Sequence, residues 1–384
     1  MRYLPLLALA LTLGCNSKDR SGLEDTALSW PDNTEAAVLN YTAIVEATYA
    51  DSLAAAETLN AALEALASAP SQAALDDART SWLDSREPYL QTEVFRFYDG
   101  PIDNPDDGPE GLINAWPMDE HYVDYTIDDP ATGIVNSDEP IDAGSLEELN
   151  ESGGEANIAT GYHAIEFLLW GQDLSDTGPG DRPFTDYVTD SSGTATNQDR
   201  RGLYLTTAGG LLAGHLSQVH EQWTPGADYR TRFEADPQTG FEKALTGMII
   251  LSGFETGGER LQAALDSKSQ EDEHSCFSDN THRDMIQDIQ GVQNVWVGSY
   301  GSINGVGLRD VVSEVDAALA GAVDDRIAES LSLANALQPP FDQEIAAGSA
   351  GNARVEALIV SLRAQEELLF EVFEVFGLAV TIPE

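Results

Sequence analysis

Lysine is almost missing from this chain of 384 residues: Lys18, Lys243 and Lys268 are the only three, so nearly all of its 19 basic residues are arginine, against 66 acidic ones. A net charge of −47 surrounds the molecule with a field that repels phosphate backbones, which argues against nucleic acid as a partner. Cysteine is equally scarce, with Cys15 and Cys276 alone, and six histidines stand at positions 121, 163, 215, 220, 274 and 282. Several catalytic signatures are missing too. His220-Glu221 begins like the zinc-peptidase pattern His-Glu-x-x-His, but the fifth position is Thr224. The inverted pattern His-x-x-Glu-His fails at Phe167, and no Gly-x-Ser-x-Gly elbow occurs. Catalytic proteolysis therefore gains no support from motifs. What the chain does have is 42% hydrophobic residues, with 6 Trp, 12 Tyr and 12 Phe, enough to build sizeable cores.

The N-terminus reads as a targeting segment. Arg2 supplies a positive start, Tyr3 to Leu13 an apolar run too short to span a bilayer, and Thr12-Leu13-Gly14-Cys15 an exit that resembles a bacterial lipobox. The expected division is a signal peptide over 1–14, lipidation at Cys15, and a polar tether over 15–33. With Cys15 carrying lipid, Cys276 has no disulfide partner in the chain. Asn16 after the cysteine, by analogy with lipoprotein sorting, points to the outer membrane facing the periplasm.

From Thr34 onward helical spacing dominates. Val38, Tyr41, Val45, Tyr49, Leu53, Ala56, Leu59, Leu63 and Leu66 recur at steps of three and four. Pro70-Ser71 ends that helix and opens another carrying Leu75, Ala78 and Trp82, which Pro88 is expected to kink or break. Residues 99–160 are crowded with Asp, Gly and Pro and read as a long irregular segment of the kind that usually serves function. Further helices are predicted over Arg201–Trp223, Phe241–Leu265, Thr281–Val297, Gly307–Leu337 and Asn352–Phe376. The fold class is all-α, in two bundle-like halves expected at 34–195 and 196–384.

His163 and Glu166 stand at i and i+3, so on a helix their β-carbons project from one face about 5–6 Å apart. Imidazole nitrogen with carboxylate oxygen suits zinc or iron. A chance His-x-x-Glu is more often a surface pair, but Ile165, Phe167, Leu168, Leu169 and Trp170 make this segment strongly apolar. A buried carboxylate must be paired, protonated or bound to a cation. A second cluster of donors, Gln270 to Asp284, includes His274, Cys276 and His282. It reads either as an interhelix loop with Asp279 or Asn280 capping the next helix, or as a contribution to a ligand pocket.

Three separated stretches together resemble the imelysin family, also called the iron-regulated or insulin-cleaving membrane protease-like group. They are Arg86 to Asp103 continuing through Gly108-Pro109-Glu110-Gly111 to Asn114-Ala115-Trp116-Pro117; Gly161 to Asp173, with Gly-x-His-x-x-Glu at Gly161, His163 and Glu166; and Glu273 to His282. The resemblance implies a two-domain helical fold with that motif at or near the interface, in a bacterial envelope protein tied to iron regulation or uptake. By likeness it places Glu93, Arg96 and Tyr98 near His163 and Glu166, with Glu93 as a further metal ligand. The function so implied is an envelope-anchored binding protein for a divalent or ferric ion, iron or zinc, or a small iron chelate, working with an iron-uptake partner protein. The alternatives are a metallopeptidase, and a polysaccharide-binding module using Trp116, Tyr122 and Trp170 around an acidic cleft.

Overall fold

The computed structural model describes residues 30–378. Cys15, with the expected signal peptide, lipid anchor and most of the tether, lies outside them. The first helix, α1 (Thr34–Ser68), buries the stripe seen in the sequence, from Val38 and Tyr41 to Leu63 and Leu66. It stops before Pro70, and Ser71 Oγ accepts a hydrogen bond from the Ala74 amide at 3.2 Å to start α2 (Gln72–Leu90). Pro88 does not interrupt α2 but sits in its last turn, where only two residues follow.

Next among the long helices come α3 (Gly161–Trp170) and α4 (Gln198–Trp223). Helix α1 lies along both α2 and α4, and α3 packs against α2 and α4. A side chain at Gly209 of α4 would meet Asn60 and Leu63 of α1 at 2.7 Å, so glycine is what lets these two backbones approach closely. The helix expected to open the second half thus packs with the first group. The chain crosses over after Trp223, later than the expected 195/196.

The second group begins with α5, which is α-helical over Pro237–Ile249, continues as a π-helix over Ile250–Gln262 and closes with Ala263–Ser267. Against it pack α6 (Thr281–Val297) and α9 (Gly351–Val375), and α8 (Ala317–Ala334) packs on both of these, with the short α7 (Leu308–Val315) and a two-residue hairpin, Ser299–Tyr300 with Ile303–Asn304, between α6 and α8. The single helix expected over Gly307–Leu337 is two. Asp316 breaks it, its Oδ1 accepting from the amides of Ala318 at 3.0 Å and Leu319 at 2.9 Å. One apolar core runs through both groups from Ala37 to Phe376, and a smaller one around Leu261, Met285, Phe341 and Leu358 fills the second group.

The irregular stretch contains only short helical pieces, Glu110–Ile113, Glu120–Val123, a 3-10 turn at Ile134–Asn136 and Ala143–Leu149, joined by turns. It is fixed by a buried ion-pair node. Asp124 accepts from Arg201 Nε at 2.6 Å, Arg201 Nη2 at 2.9 Å and Arg182 Nη1 at 2.7 Å. All three residues are buried, and Tyr125 stacks against both guanidiniums. Two arginines on one carboxylate satisfy its oxygens and turn a polar loop into a rigid wall.

Candidate metal centre

Helix α3 is enclosed on every side, and all ten of its residues are buried, His163 and Glu166 among them. Its first residue, Gly161, has φ +78°, and a β-carbon there would collide with the Ile113 carbonyl. Only glycine combines that backbone with that close approach. This seats the start of α3 against the irregular wall and aims His163 inward.

His163 Nδ1 lies 3.0 Å from Glu166 Oε2, one turn on. The other oxygen of Glu166 accepts from the Ser278 amide at 2.9 Å and the Ser278 hydroxyl at 2.6 Å. Ser278 belongs to the loop 273–280 that leads into α6, so the motif is completed by the second helix group. The same loop brings His274 beside His163, with ring centroids 5.1 Å apart and nearly perpendicular. His274 repeats the arrangement: its Nδ1 lies 2.8 Å from Asp284 Oδ2, which also accepts from Arg86 Nη2 at 3.1 Å and Ser275 Oγ at 2.5 Å.

Two histidines thus each have Nδ1 held by a buried carboxylate. His274 Nδ1, facing the carboxylate of Asp284, carries the hydrogen and leaves Nε2 a lone pair; His163 presents the same lone pair when Glu166 is ionised, so a metal ion at that Nε2 displaces the Glu166 proton. Neither Nε2 has a hydrogen-bond partner among the described residues, and that of His163 is wholly buried. Burial, reinforced by the positive charge of Arg86, pushes His163 well below the usual imidazole range. Burial and Arg260 bring His274 down to about 4. Both rings are therefore neutral at physiological pH, the form that binds metals.

The two carboxylates differ. Burial raises Glu166 to about 8 despite the Ser278 hydrogen bonds. Burial alone would raise Asp284 as well, but Arg86, His274 and Ser275 outweigh it and hold the carboxyl far below its ordinary range. Arg86 is itself enclosed by Trp82, Tyr89 and Tyr162, and donates to Asn114 Oδ1 at 2.5 Å.

His274 forms part of a cleft of about 270 Å³ whose walls include Arg96, Glu110, Trp116, Glu255 and Arg260. The Trp116 ring also covers His163, at 4.8 Å between centroids. Glu93 lies behind this wall, fully buried. Its Oε2 accepts from Arg96 Nη1 at 2.7 Å and from Arg260 Nη2, which reaches it from the π-helical stretch of α5. Burial would raise its carboxyl, but the two guanidiniums override that and lower it.

The family model described as Imelysin matches residues 45–369. The chain belongs to the imelysin family. This imelysin-family chain is 24% identical over 361 residues to iron-regulated protein A of Synechococcus elongatus, covering 89% of itself and 86% of that protein. Among solved structures, an iron-regulated protein A precursor from Parabacteroides distasonis superposes with a TM-score of 0.67 at 17% identity, over 92% of this chain and 97% of the other. An imelysin-like protein from Psychrobacter arcticum gives 0.64 at 13% identity, over 93% and 100%. At such identities these likenesses show the all-helical fold alone.

The residues singled out in this imelysin-family sequence are brought together only in part. His163 and Glu166 are paired as their spacing predicts, but Glu166 spends its oxygens on Nδ1 and Ser278, and so orients the histidine. Glu93, expected as a metal ligand, is capped by two arginines and forms no three-donor group with His163 and Glu166 among the described residues. Arg96 does line the cleft, also pairing with Glu110 at 3.1 Å. Tyr98 lies elsewhere, its hydroxyl 2.9 Å from that of Tyr41 and its ring beside Phe233. The aromatics of the polysaccharide reading do not share a groove: Tyr122 donates to the Leu149 carbonyl and Trp170 is buried against Trp82. Asn280 occupies the N-cap of α6 without a side-chain cap bond, and donates to Asp284 at 3.2 Å instead. Cys276 is a free, buried thiol. Sequence spacing gave no role to Arg86, Asp284 or Arg260: Arg86 and Asp284 stood only at the ends of stretches singled out for other residues, and the sole signal of Arg260 was charge inside an otherwise apolar helical stripe.

Proposed function

We propose that this imelysin-family chain captures a metal ion, or a small chelate of one, at the foot of the cleft, with His163 and His274 as the protein's donors through Nε2. One observation carries the reading: two neutral, adjacent imidazoles, each oriented through Nδ1 by a buried carboxylate, with both Nε2 atoms unpartnered. Leaving a buried ring nitrogen unpaired costs roughly 1–3 kcal/mol, and a ligand to it removes that cost. Two imidazoles suit zinc or iron and leave further coordination positions for water or for the donor atoms of a chelate.

The names borne by the Synechococcus and Parabacteroides proteins speak for iron, and we take iron uptake as the setting. The N-terminal pattern ending at Cys15 supports an envelope anchor that would hold the cleft beside a membrane-bound partner protein. Calorimetric titration of chelator-treated protein with ferrous, ferric-citrate and zinc ions tests the proposal. Wild type should bind one ion, and His274→Ala and His163→Gln should each weaken binding at least tenfold. Equal affinity in all three proteins would refute it. Cleavage of a peptide substrate that these variants abolish would favour the metallopeptidase reading instead.

A further inference from the structure

Every buried carboxylate described so far has a cation or donors assigned to it: Asp124 has two arginines, Glu93 two, Asp284 Arg86, and Glu166 Ser278. One group of acids breaks this pattern. Asp173 follows α3, Asp279 lies in the loop before α6, and Asp342 follows Pro339-Pro340 ahead of α9. One carboxylate oxygen from each lies within 4.8 Å of those offered by the other two, and the residues are only 4%, 7% and 6% exposed.

Five of the six oxygens have no amide, hydroxyl or basic partner; the sixth, Asp173 Oδ1, accepts from the Ser175 amide at 2.9 Å. No arginine, lysine or histidine forms an ion pair with any of the three among the described residues. Beside them stands Glu273, completely buried, with its carboxyl against that of Asp342, a pair that shares a proton when no cation is present, and with its strongest charge interactions with Asp342 and Asp279. The remaining charges facing the group, Asp176 and Glu271, are also negative. Enclosure and mutual repulsion raise Asp173 to about 6 and Asp279 to about 7.

We propose that Asp173, Asp279 and Asp342, backed by Glu273, form a second cation site, for a hard divalent ion of the calcium type. Uncompensated carboxylates removed from water are costly, and here no arginine and only one backbone amide, that of Ser175, offsets them. Oxygen-only donors select hard cations over the softer ions suited to imidazole, and calcium accepts six to eight oxygens at about 2.3–2.6 Å in loose geometry. Donors on opposite sides of such an ion stand about 5 Å apart, and one oxygen from each aspartate lies within that reach of the others.

The three loops are otherwise tied by neutral contacts: Gln270 donates to the Asp173 carbonyl at 2.6 Å, and Gln343 to the Asp176 carbonyl. A shared cation would lock together the segment leaving α3, the loop that delivers Ser278 and His274, and the connection into α9. The site does not depend on the histidine centre.

The test is calcium titration of EDTA-stripped protein by calorimetry and thermal melting, on wild type, Asp279→Asn, Asp342→Asn and His163→Gln. Wild type should bind one calcium ion with a raised melting temperature, and His163→Gln should bind it equally. The Asn variants should lose affinity at least tenfold, yet melt no lower than wild type in EDTA, because substitution relieves repulsion. Absence of both calcium heat and melting shift in wild type overturns the proposal, and so does full affinity in either Asn variant. Should an Asn variant fail to fold, the wild-type titration with Glu273→Gln decides alone.

Discussion

Glu166 shows how one side chain can serve structure and ligand binding in opposite senses. Its carboxyl sits near 8 in the fold against an ordinary value of 4.5, because burial favours the proton. A carboxyl raised in this way contributes stability that is fully present below about 4.5 and is lost as pH climbs to about 8. Gln at this position mimics the protonated acid: its amide can donate to His163 Nδ1 while its carbonyl accepts from Ser278. In chelator, the melting temperature of Glu166→Gln relative to wild type should therefore rise steadily from pH 5 to pH 8 and level off above. A difference that stays flat across that range would mean that Glu166 is already ionised in the fold. Like the protonated acid, the amide makes Nδ1 an acceptor and puts the hydrogen on Nε2, the wrong tautomer for a donor, but unlike Glu166 it cannot give up its proton when a metal ion binds. Metal affinity should fall by about 10- to 100-fold, the usual cost of losing an orienting partner.

At the scale of elements, the π-helical stretch of α5 is what closes the wall of the cleft. Its wider turn presents Arg260 to three acids at once: Glu93, Glu255 at 3.0 Å and Asp288 at 2.8 Å, with Thr256 donating to Asp288 at 3.1 Å. π-Helical insertions cluster at functional sites, and here the insertion joins α2's end, α5 and α6 through one guanidinium. Arg260→Ala leaves Glu93 and Asp288 buried with less compensation, and should cost about 3–5 kcal/mol in urea unfolding. A loss below about 1 kcal/mol would show that the acids find other partners. The sequence made helices legible because long apolar stripes repeat every three to four residues. It hid the π-helix, since Ile250 to Gln262 keeps apolar residues at spacings that an α-helix also fits. It hid the break at Asp316 for a related reason: the side chain that caps α8 is small enough to pass within a helical stripe.

Across the whole molecule, the candidate centre is split between the two helix groups, and that split decides which parts of it could be read in advance. His163 and Glu166 are three residues apart, so helical spacing alone pairs them. Ser278, His274 and Asp284 reach them only because α6 packs against α2, across roughly 110 residues of chain, and no local pattern encodes that contact. Family likeness flagged the segment 273–282 without giving its role, and it misplaced Tyr98 for the same reason: proximity along the chain at 93–98 does not fix which face of a turn looks into the cleft. An ion held by one histidine from each group would bridge them. X-ray absorption spectroscopy on iron- or zinc-loaded protein reads this most directly. The account predicts scattering from two imidazoles in wild type and from one in His274→Ala. A spectrum with no imidazole in the coordination sphere, or one unchanged by that substitution, would contradict it.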